Sequence, residues 1–346
     1  TGNYNTAFGV NALFANTTVS NLTAFGYQAL KANTTGTGNV ASGYRALYSN
    51  TTGYSNTATG YQSMLNTTTG SNNVAHGYAT LSANITGWNN TAFGYRALYT
   101  NTGSSNTAVG YDSLIANTTG SSNVATGMQS LAANTTGAQN SAYGYQALYS
   151  NTTGNANIAI GNNSLYANTT VSNLTAVGYE ALYANTTGAL NTAVGYQALK
   201  ANTTGINNTA VGSQVLRDNT TGSYNVGLGA LSLQQNTTGG NNVAVGYYAL
   251  ISNSTGVSNV GVGYRSLTGN TTGGYNVGVG QQTLTANSTG ASNTAIGHTS
   301  MISNTTGASN VAMGSQALKA NTEGNYNNAF GADALLLTTT GAQNTG

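Results

Sequence analysis

Apolar and polar residues follow one short pattern that repeats throughout the chain. In residues 191–205, N-T-A-V-G-Y-Q-A-L-K-A-N-T-T-G, apolar residues surround a central glycine and a polar corner follows. That glycine occurs 20 times, at intervals of 17 residues except between Gly94 and Gly110, where the interval is 16. A fixed period of this length is typical of solenoid and fibre repeats. Each copy is called a coil below, and its positions are counted from the central glycine as zero.

Two positions of restricted size predict the interior of the coil. Position −2 is alanine, or glycine in three coils, and position +4 is leucine or methionine throughout. Position +3 is nearly always alanine, serine or threonine. Small residues let two backbone layers approach closely, and leucine fills the remaining space. We therefore expect positions −2 and +4 to form internal columns.

Positions −3, −1 and +1 alternate with the interior positions and predict the outer face of a strand. They are rich in threonine, valine and tyrosine, which favour a strand, and the glycine inside each apolar run disfavours a helix. Tyrosine at position +1 gives a candidate surface or interface column: Tyr27, Tyr44, Tyr61, Tyr78, Tyr95 and Tyr111.

Asparagine and glycine mark the corners of the coil. N-T-T-G usually fills positions +7 to +10, and a second asparagine usually holds position −4. Both residue types tolerate left-handed backbone, so each coil is predicted to contain about two short strands and two turns. The predicted fold is all-β, a parallel β-solenoid (β-roll) of about 20 coils, stacked at about 4.8 Å as one continuous array over residues 1–346.

Composition excludes several classes of protein. The 346 residues include no cysteine and no proline, so there is no disulfide and no thiolate metal site. Charged residues are 3% of the chain, against about 25% in ordinary globular proteins, and the net charge is +2. We therefore expect no nucleic-acid partner. No apolar run reaches the ~20 residues of a membrane helix, so no membrane insertion is expected either.

Catalytic chemistry finds little support in the sequence. A glycosidase-like mechanism needs two carboxylates held close together, and the five acids are dispersed: Asp112, Glu180, Asp218, Glu323 and Asp333. His76 and His298 are far apart and have no partner at metal-ligand spacing. We expect no catalytic residue, no cofactor and no metal ion, and so no enzymatic activity.

Short segments of every coil resemble a known family of repeats. Residues 191–195 (N-T-A-V-G) and 157–161 (N-I-A-I-G) are similar to the S/N-x-A-I/V-G core of trimeric autotransporter adhesin heads. Similar arrays occur in phage tail fibres and bacterial surface fibres. The resemblance implies a left-handed parallel β-roll and a homotrimer, and it carries over no catalytic residue. The family unit is shorter, and the additional Asn-Thr-Thr corner leaves handedness and subunit number open.

The asparagine at position +7 has two interpretations. It forms a ladder in which each amide bonds to the next coil, or it accepts an N-glycan in an Asn-x-Ser/Thr sequon. A glycan would make a surface with almost no charge more soluble. The candidate acceptors are Asn16, Asn33, Asn50, Asn117, Asn134, Asn151, Asn168, Asn185, Asn202, Asn219, Asn236, Asn270 and Asn304.

The functional expectation is a structural extracellular fibre or filament segment, on a cell surface or in a virion tail fibre. The alternative is an adhesin or phage tail-fibre module that binds a cell-surface glycan or receptor through its tyrosine or threonine columns. Ice binding is less favoured, because the adjacent Thr17 and Thr18 would point to opposite faces of an extended strand.

The outer apolar stripe predicts self-association, because soluble monomers rarely expose a long contiguous apolar surface. We expect a homo-oligomer, with a trimer as the favoured state. Both termini fall inside a coil, so the chain is expected to be a segment of a longer fibre. End-to-end stacking of separate copies is the alternative.

Overall fold

The computed structural model describes residues 2–346, and these form 20 three-residue strands and no helix. Each coil contributes one strand, at positions −3 to −1. The chain divides into two compact units, unit 1 (Thr1–Asn173) and unit 2 (Leu174–Gly346).

The strands of unit 1 are β1 (Thr6–Phe8), β2 (Thr23–Phe25), β3 (Val40–Ser42), β4 (Thr57–Thr59), β5 (Val74–His76), β6 (Thr91–Phe93), β7 (Thr107–Val109), β8 (Val124–Thr126), β9 (Ser141–Tyr143) and β10 (Ile158–Ile160). The strands of unit 2 are β11 (Thr175–Val177), β12 (Thr192–Val194), β13 (Thr209–Val211), β14 (Val226–Leu228), β15 (Val243–Val245), β16 (Val260–Val262), β17 (Val277–Val279), β18 (Thr294–Ile296), β19 (Val311–Met313) and β20 (Asn328–Phe330).

Within each unit, strands of neighbouring coils pair in parallel and keep the same register. Ala193 in β12 lies opposite Ala210 in β13. The shortened corner at residues 101–103 leaves this register intact, since Ala92 in β6 lies opposite Ala108 in β7. A slip of one residue would turn a strand's side chains to the other face, so constant register is what builds columns of like residues. The predicted parallel β-solenoid is confirmed.

The core is a narrow pair of columns at positions −2 and +4, as predicted. Ala193 and Leu199 have no exposed surface, and the +4 side chain is buried in every coil from that of Gly26 to that of Gly314. Small residues at position +3, such as Ala198, are buried beside it. Positions −3, −1 and +1 lie on the outer face and remain partly or largely exposed.

Left-handed backbone explains why the coil holds one strand and not the predicted two. Leu190, Gln197 and Leu199 have φ values of +58°, +52° and +50°, and the same three positions, −5, +2 and +4, are left-handed in the other coils. These residues turn the chain too often for a second strand. Gly195 has φ +135°, and a Cβ there would lie against the carbonyl oxygen of Gly212 in the next coil. Glycine is therefore required at this position both by the positive φ value and by the close approach of the next coil.

Backbone hydrogen bonds to both neighbouring coils hold these left-handed residues in place. The N–H of Gln197 donates to the carbonyl oxygen of Tyr179 in the preceding coil at 2.9 Å. The N–H of Leu199 donates to Val215 in the following coil at 3.0 Å. A left-handed conformation costs roughly 1–2 kcal/mol for an L-residue. Leucine and methionine lack the branch at Cβ that would raise this cost, which explains why position +4 never holds valine or isoleucine.

The buried column at +4 yields a stability prediction at Leu199. Leu199→Ala should lower the free energy of unfolding by about 2–5 kcal/mol, because it leaves a cavity. Leu199→Asp should lower it further, because it also buries a charge without a partner. Urea unfolding followed by circular dichroism measures both changes. Leu199→Met is the matched control, since methionine already holds +4 at Met64 and Met301. An aspartate variant as stable as the alanine variant would contradict the buried column.

Candidate functional site

Asparagines at position +7 form a ladder inside the corner, as one of the two interpretations predicts. The Nδ2 of Asn202 donates to the Oδ1 of Asn185 at 2.9 Å and to the carbonyl oxygen of Gly205 at 3.0 Å. One coil further on, the Nδ2 of Asn219 donates to the Oδ1 of Asn202 at 2.8 Å. Asn202 is thus both donor and acceptor, which avoids the cost of an unpaired polar group in the interior.

A second asparagine ladder runs along position −4, and sequence reasoning did not identify it. The Oδ1 of Asn208 accepts the backbone N–H of Asn225 at 3.0 Å, and its Nδ2 donates to the carbonyl oxygen of Gly222 at 2.9 Å. The same oxygen of Gly222 accepts the Nδ2 of Asn219 at 2.9 Å. The carbonyl of the corner glycine therefore joins the two ladders, which are called the −4 ladder and the +7 ladder below.

The candidate glycosylation sites are members of the +7 ladder. Asn16 is half-buried, and the other twelve candidates have no exposed surface. The Nδ2 atom that would carry a glycan donates hydrogen bonds inside the corner; in Asn134, for example, it bonds to Asn117 and Gly137 at 2.7 and 2.9 Å. A glycan would replace one of the two Nδ2 hydrogens and so break one of these bonds, and the buried side chain leaves no space for a sugar, so attachment requires a corner that has not folded. Glycosylation stays a prediction that the folded geometry opposes.

Threonines at positions +8 and +9 both lie at the surface. Thr203 is half-buried and donates through Oγ1 to the carbonyl oxygen of Thr220 at 3.1 Å, and Thr204 is exposed. The premise that Thr17 and Thr18 lie in an extended strand is wrong, because both are exposed residues of a bend in the corner. Ice binding stays a less favoured prediction, without support from the direction of these two side chains.

The six tyrosines of the candidate column form a continuous stack in unit 1, called the tyrosine stack below. Neighbouring rings lie 4.9–5.4 Å apart between centroids, with planes within 12° of parallel. The guanidinium groups of Arg45 and Arg96 lie 5.4 and 5.1 Å from the ring centroids of Tyr44 and Tyr95. Each tyrosine is 38–46% exposed. Because the rings cover one another's faces, the stack presents mainly ring edges and hydroxyl groups.

The apolar outer stripe is continuous in unit 2 but not in unit 1. In unit 2, position −1 is apolar in every coil from Val177 to Phe330, and Val211 and Leu228 are 39% and 37% exposed. We call this set the apolar column of unit 2. In unit 1 polar residues interrupt the same position, at Ser42, Thr59, His76 and Thr126.

Three of the five acidic residues are held in ion pairs. The pairs are Arg96–Asp112 at 2.6 Å, Lys200–Glu180 at 2.6 Å and Arg217–Asp218 at 2.7 Å. Burial alone would raise the pKa of Glu180, but hydrogen bonds with Lys200, Gln197 and Tyr179 outweigh it and lower that pKa. Lys200, Arg217 and Asp218 also line an open groove of about 460 Å³ in unit 2. Residues 2–346 bring no three His, Cys, Asp or Glu side chains together as a metal site would require.

A second groove, in unit 1, escaped sequence reasoning. It has a volume of about 430 Å³, and its lining includes Tyr54 and Trp88, which both hold position −6. The signal was present in the sequence, because no other coil carries an aromatic residue at that position and Trp88 is the sole tryptophan of the chain. Sequence-based prediction relied on the residues that recur in every coil, so it overlooked Tyr54 and Trp88, which depart from the repeat.

Comparisons of the chain with protein-family models, with curated proteins and with solved structures find no match in any of the three. The resemblance to adhesin head repeats therefore stays a prediction. A search of residues 2–346 for a helix of the length and apolar character needed to cross a membrane also finds none.

The +7 ladder has a gap where threonine replaces asparagine. The Oδ1 of Asn50 and the Oγ1 of Thr67 are both buried without a hydrogen-bond partner. In the following coil, the Nδ2 of Asn84 bonds to Gly87 in its own corner at 3.0 Å. A threonine side chain is too short, and offers too few donors, to continue the amide ladder.

Thr67→Asn should therefore stabilise the protein. The new amide would donate to Asn50 and accept from Asn84, and satisfying a buried polar group is worth about 1–3 kcal/mol. Thermal or urea unfolding of the purified chain measures the gain. Thr68→Asn, at the partly exposed neighbouring position, is the matched control and should give no increase. A Thr67→Asn variant that is less stable than the wild type would show that the ladder does not stabilise the corner.

Proposed function

We propose that this chain is a structural extracellular fibre or filament segment, which supplies length and stiffness and displays its outer side chains. The observation that carries the proposal is the repetition of both asparagine ladders from coil to coil. In a repeat array each coil contacts only its neighbours, so an added coil extends the array through the same contacts that the other coils make. A protein built to this plan gains length in proportion to the number of its repeats.

Stiffness is supported by the unbroken run of the +7 ladder in unit 2. From Asn202 to Asn321, every asparagine at +7 donates to the one before it, at distances of 2.7–2.9 Å. Bending would have to lengthen these bonds on one side of the coil stack. These amides are buried, so water cannot replace a hydrogen bond that breaks. Breaking one therefore leaves polar groups unpaired, which costs free energy.

Self-association is part of the proposal, and the apolar column of unit 2 is its proposed interface. Ten half-exposed or exposed apolar side chains follow one another there at position −1, and valine also holds position −3 in β14–β17. A contiguous apolar surface of this kind marks an interaction site. We propose a homotrimer, in line with the resemblance to adhesin head repeats.

Receptor binding is the second candidate function, and the tyrosine stack favours it. Tyrosine and arginine are enriched where protein interfaces gain most of their binding energy. The stack offers six tyrosine side chains at 38–46% exposure, with Arg45 and Arg96 beside them. A sugar ring could not stack on rings whose faces are already covered, so this surface suits a protein receptor that contacts ring edges and hydroxyl groups.

Charge introduced into the apolar column of unit 2 should dissociate the oligomer. Val211→Glu combined with Val245→Glu places two charges in the proposed interface, two coils apart. Sedimentation velocity should then show a monomer with unchanged circular dichroism, whereas the wild-type chain should sediment as a trimer. Thr59→Glu, at position −1 in unit 1, is the matched control and should leave the trimer intact. A wild-type chain that remains a soluble monomer at micromolar concentration would contradict the proposal.

A further inference from the structure

The groove at Trp88 lies where the corners of three successive coils of unit 1 meet. Its volume of about 430 Å³ falls within the range of small-ligand sites. Tyr54 and Trp88 hold position −6 two coils apart and are 51% and 52% exposed. Ser71 holds the same position in the coil between them. The groove therefore has an aromatic residue in each outer coil and a small residue in the middle one.

Coil packing does not account for the two aromatic side chains. The backbone N–H of Tyr54 donates to the Oγ of Ser71 at 3.1 Å, and that of Trp88 donates to the Oγ of Ser104 at 3.2 Å. These bonds use only the backbone of the aromatic residues, and many other coils place serine or alanine at −6. Both rings lie outside the core. Two large, exposed aromatic side chains beside one groove point to a ligand.

Hydrogen bonds hold the floor of the groove. Ser71 is 8% exposed, and its Oγ donates to the carbonyl oxygen of Thr69 at 3.2 Å while it accepts the N–H of Tyr54. The backbone N–H of Asn89 donates to the carbonyl oxygen of Ser71 at 3.1 Å, and that of Asn72 donates to Tyr54 at 3.0 Å. The backbone around the groove is thus fixed, as pre-organised binding requires.

The polar groups of the groove are neutral and face the solvent. Asn72 and Asn89 are exposed and have left-handed backbone, with φ values of +58° and +56°. Each of their side-chain amides offers two donors and one acceptor oxygen. Thr69 and Thr86 add exposed hydroxyl groups. None of the lining residues is charged, so the groove favours an uncharged ligand rich in hydroxyl groups.

We propose that this groove binds a neutral pyranose unit of a glycan. A pyranose ring has an apolar C–H face that packs against an indole or phenol ring, and hydroxyl groups that exchange hydrogen bonds with asparagine and threonine side chains. An acidic sugar finds no cation among the lining residues. The site is separate from the tyrosine stack and from the apolar column of unit 2, so it does not depend on self-association.

Tryptophan fluorescence tests the site directly, because Trp88 is the only tryptophan in the chain. The full chain is titrated with the methyl glycosides of glucose, galactose, mannose and N-acetylglucosamine. At least one of them should change the emission of Trp88 saturably, with a Kd on the order of 1 mM. Sorbitol has hydroxyl groups but no ring face, and it should give no saturable change. A response to sorbitol equal to that of the glycosides would overturn the proposal.

Substitutions then test whether the two aromatic residues, Tyr54 and Trp88, bind the glycoside. Trp88→Ala and Tyr54→Ala should each weaken binding at least about tenfold, measured by saturation-transfer NMR of the glycoside. Tyr224→Ala removes a tyrosine that is 54% exposed in unit 2, and it should leave binding unchanged. The proposal is wrong if no glycoside binds up to roughly 0.1 M. It is equally wrong if binding survives both substitutions.

Discussion

The buried asparagine amide is the interaction on which the rest of this structure depends. An asparagine side chain carries an acceptor oxygen and two N–H donors, so each asparagine of a ladder can bond both to its own corner and to the adjacent coil. In the +7 ladder these are the bonds from Asn202 to Gly205 and to Asn185. Aspartate lacks the donors and threonine is too short. The corner can lose a residue, as it does at residues 101–103, because Asn101 still donates to Gly103 at 2.8 Å.

Backbone hydrogen bonds between coils also make the unusual backbone of the coil tolerable. Three residues per coil take left-handed conformations that would destabilise an isolated coil by roughly 1–2 kcal/mol each. Hydrogen bonds from these residues form only when another coil lies above or below, as for Gln197 and Leu199. A single coil is therefore not expected to be stable alone, and stability grows with stacking. This dependence on neighbours suits a protein whose proposed role is to be long.

The periodicity of the sequence predicted the solenoid, its internal columns and its outer face. It could do so because positions that are buried in every coil, such as −2 and +4, accept residues of only a narrow range of sizes. It did not predict the left-handed residues, since Gln197 and Leu199 are not residue types that signal such a backbone. The error of a second strand follows from that omission. The −4 ladder was missed because the bonds of Asn208 depend on coil geometry. Trp88 was missed because it departs from the repeat.

Hydrogen exchange of the asparagine side-chain amides tests the central claim most directly. In the ¹⁵N NMR spectrum of the folded chain, the Nδ2 protons of buried asparagines such as Asn202 and Asn208 should exchange at least about a hundredfold more slowly than those of the exposed Asn72 and Asn89. This slow exchange is expected because the buried amides open only when neighbouring coils separate. Equal exchange rates in the two groups would contradict the account, because the ladders would then not hold the coils together.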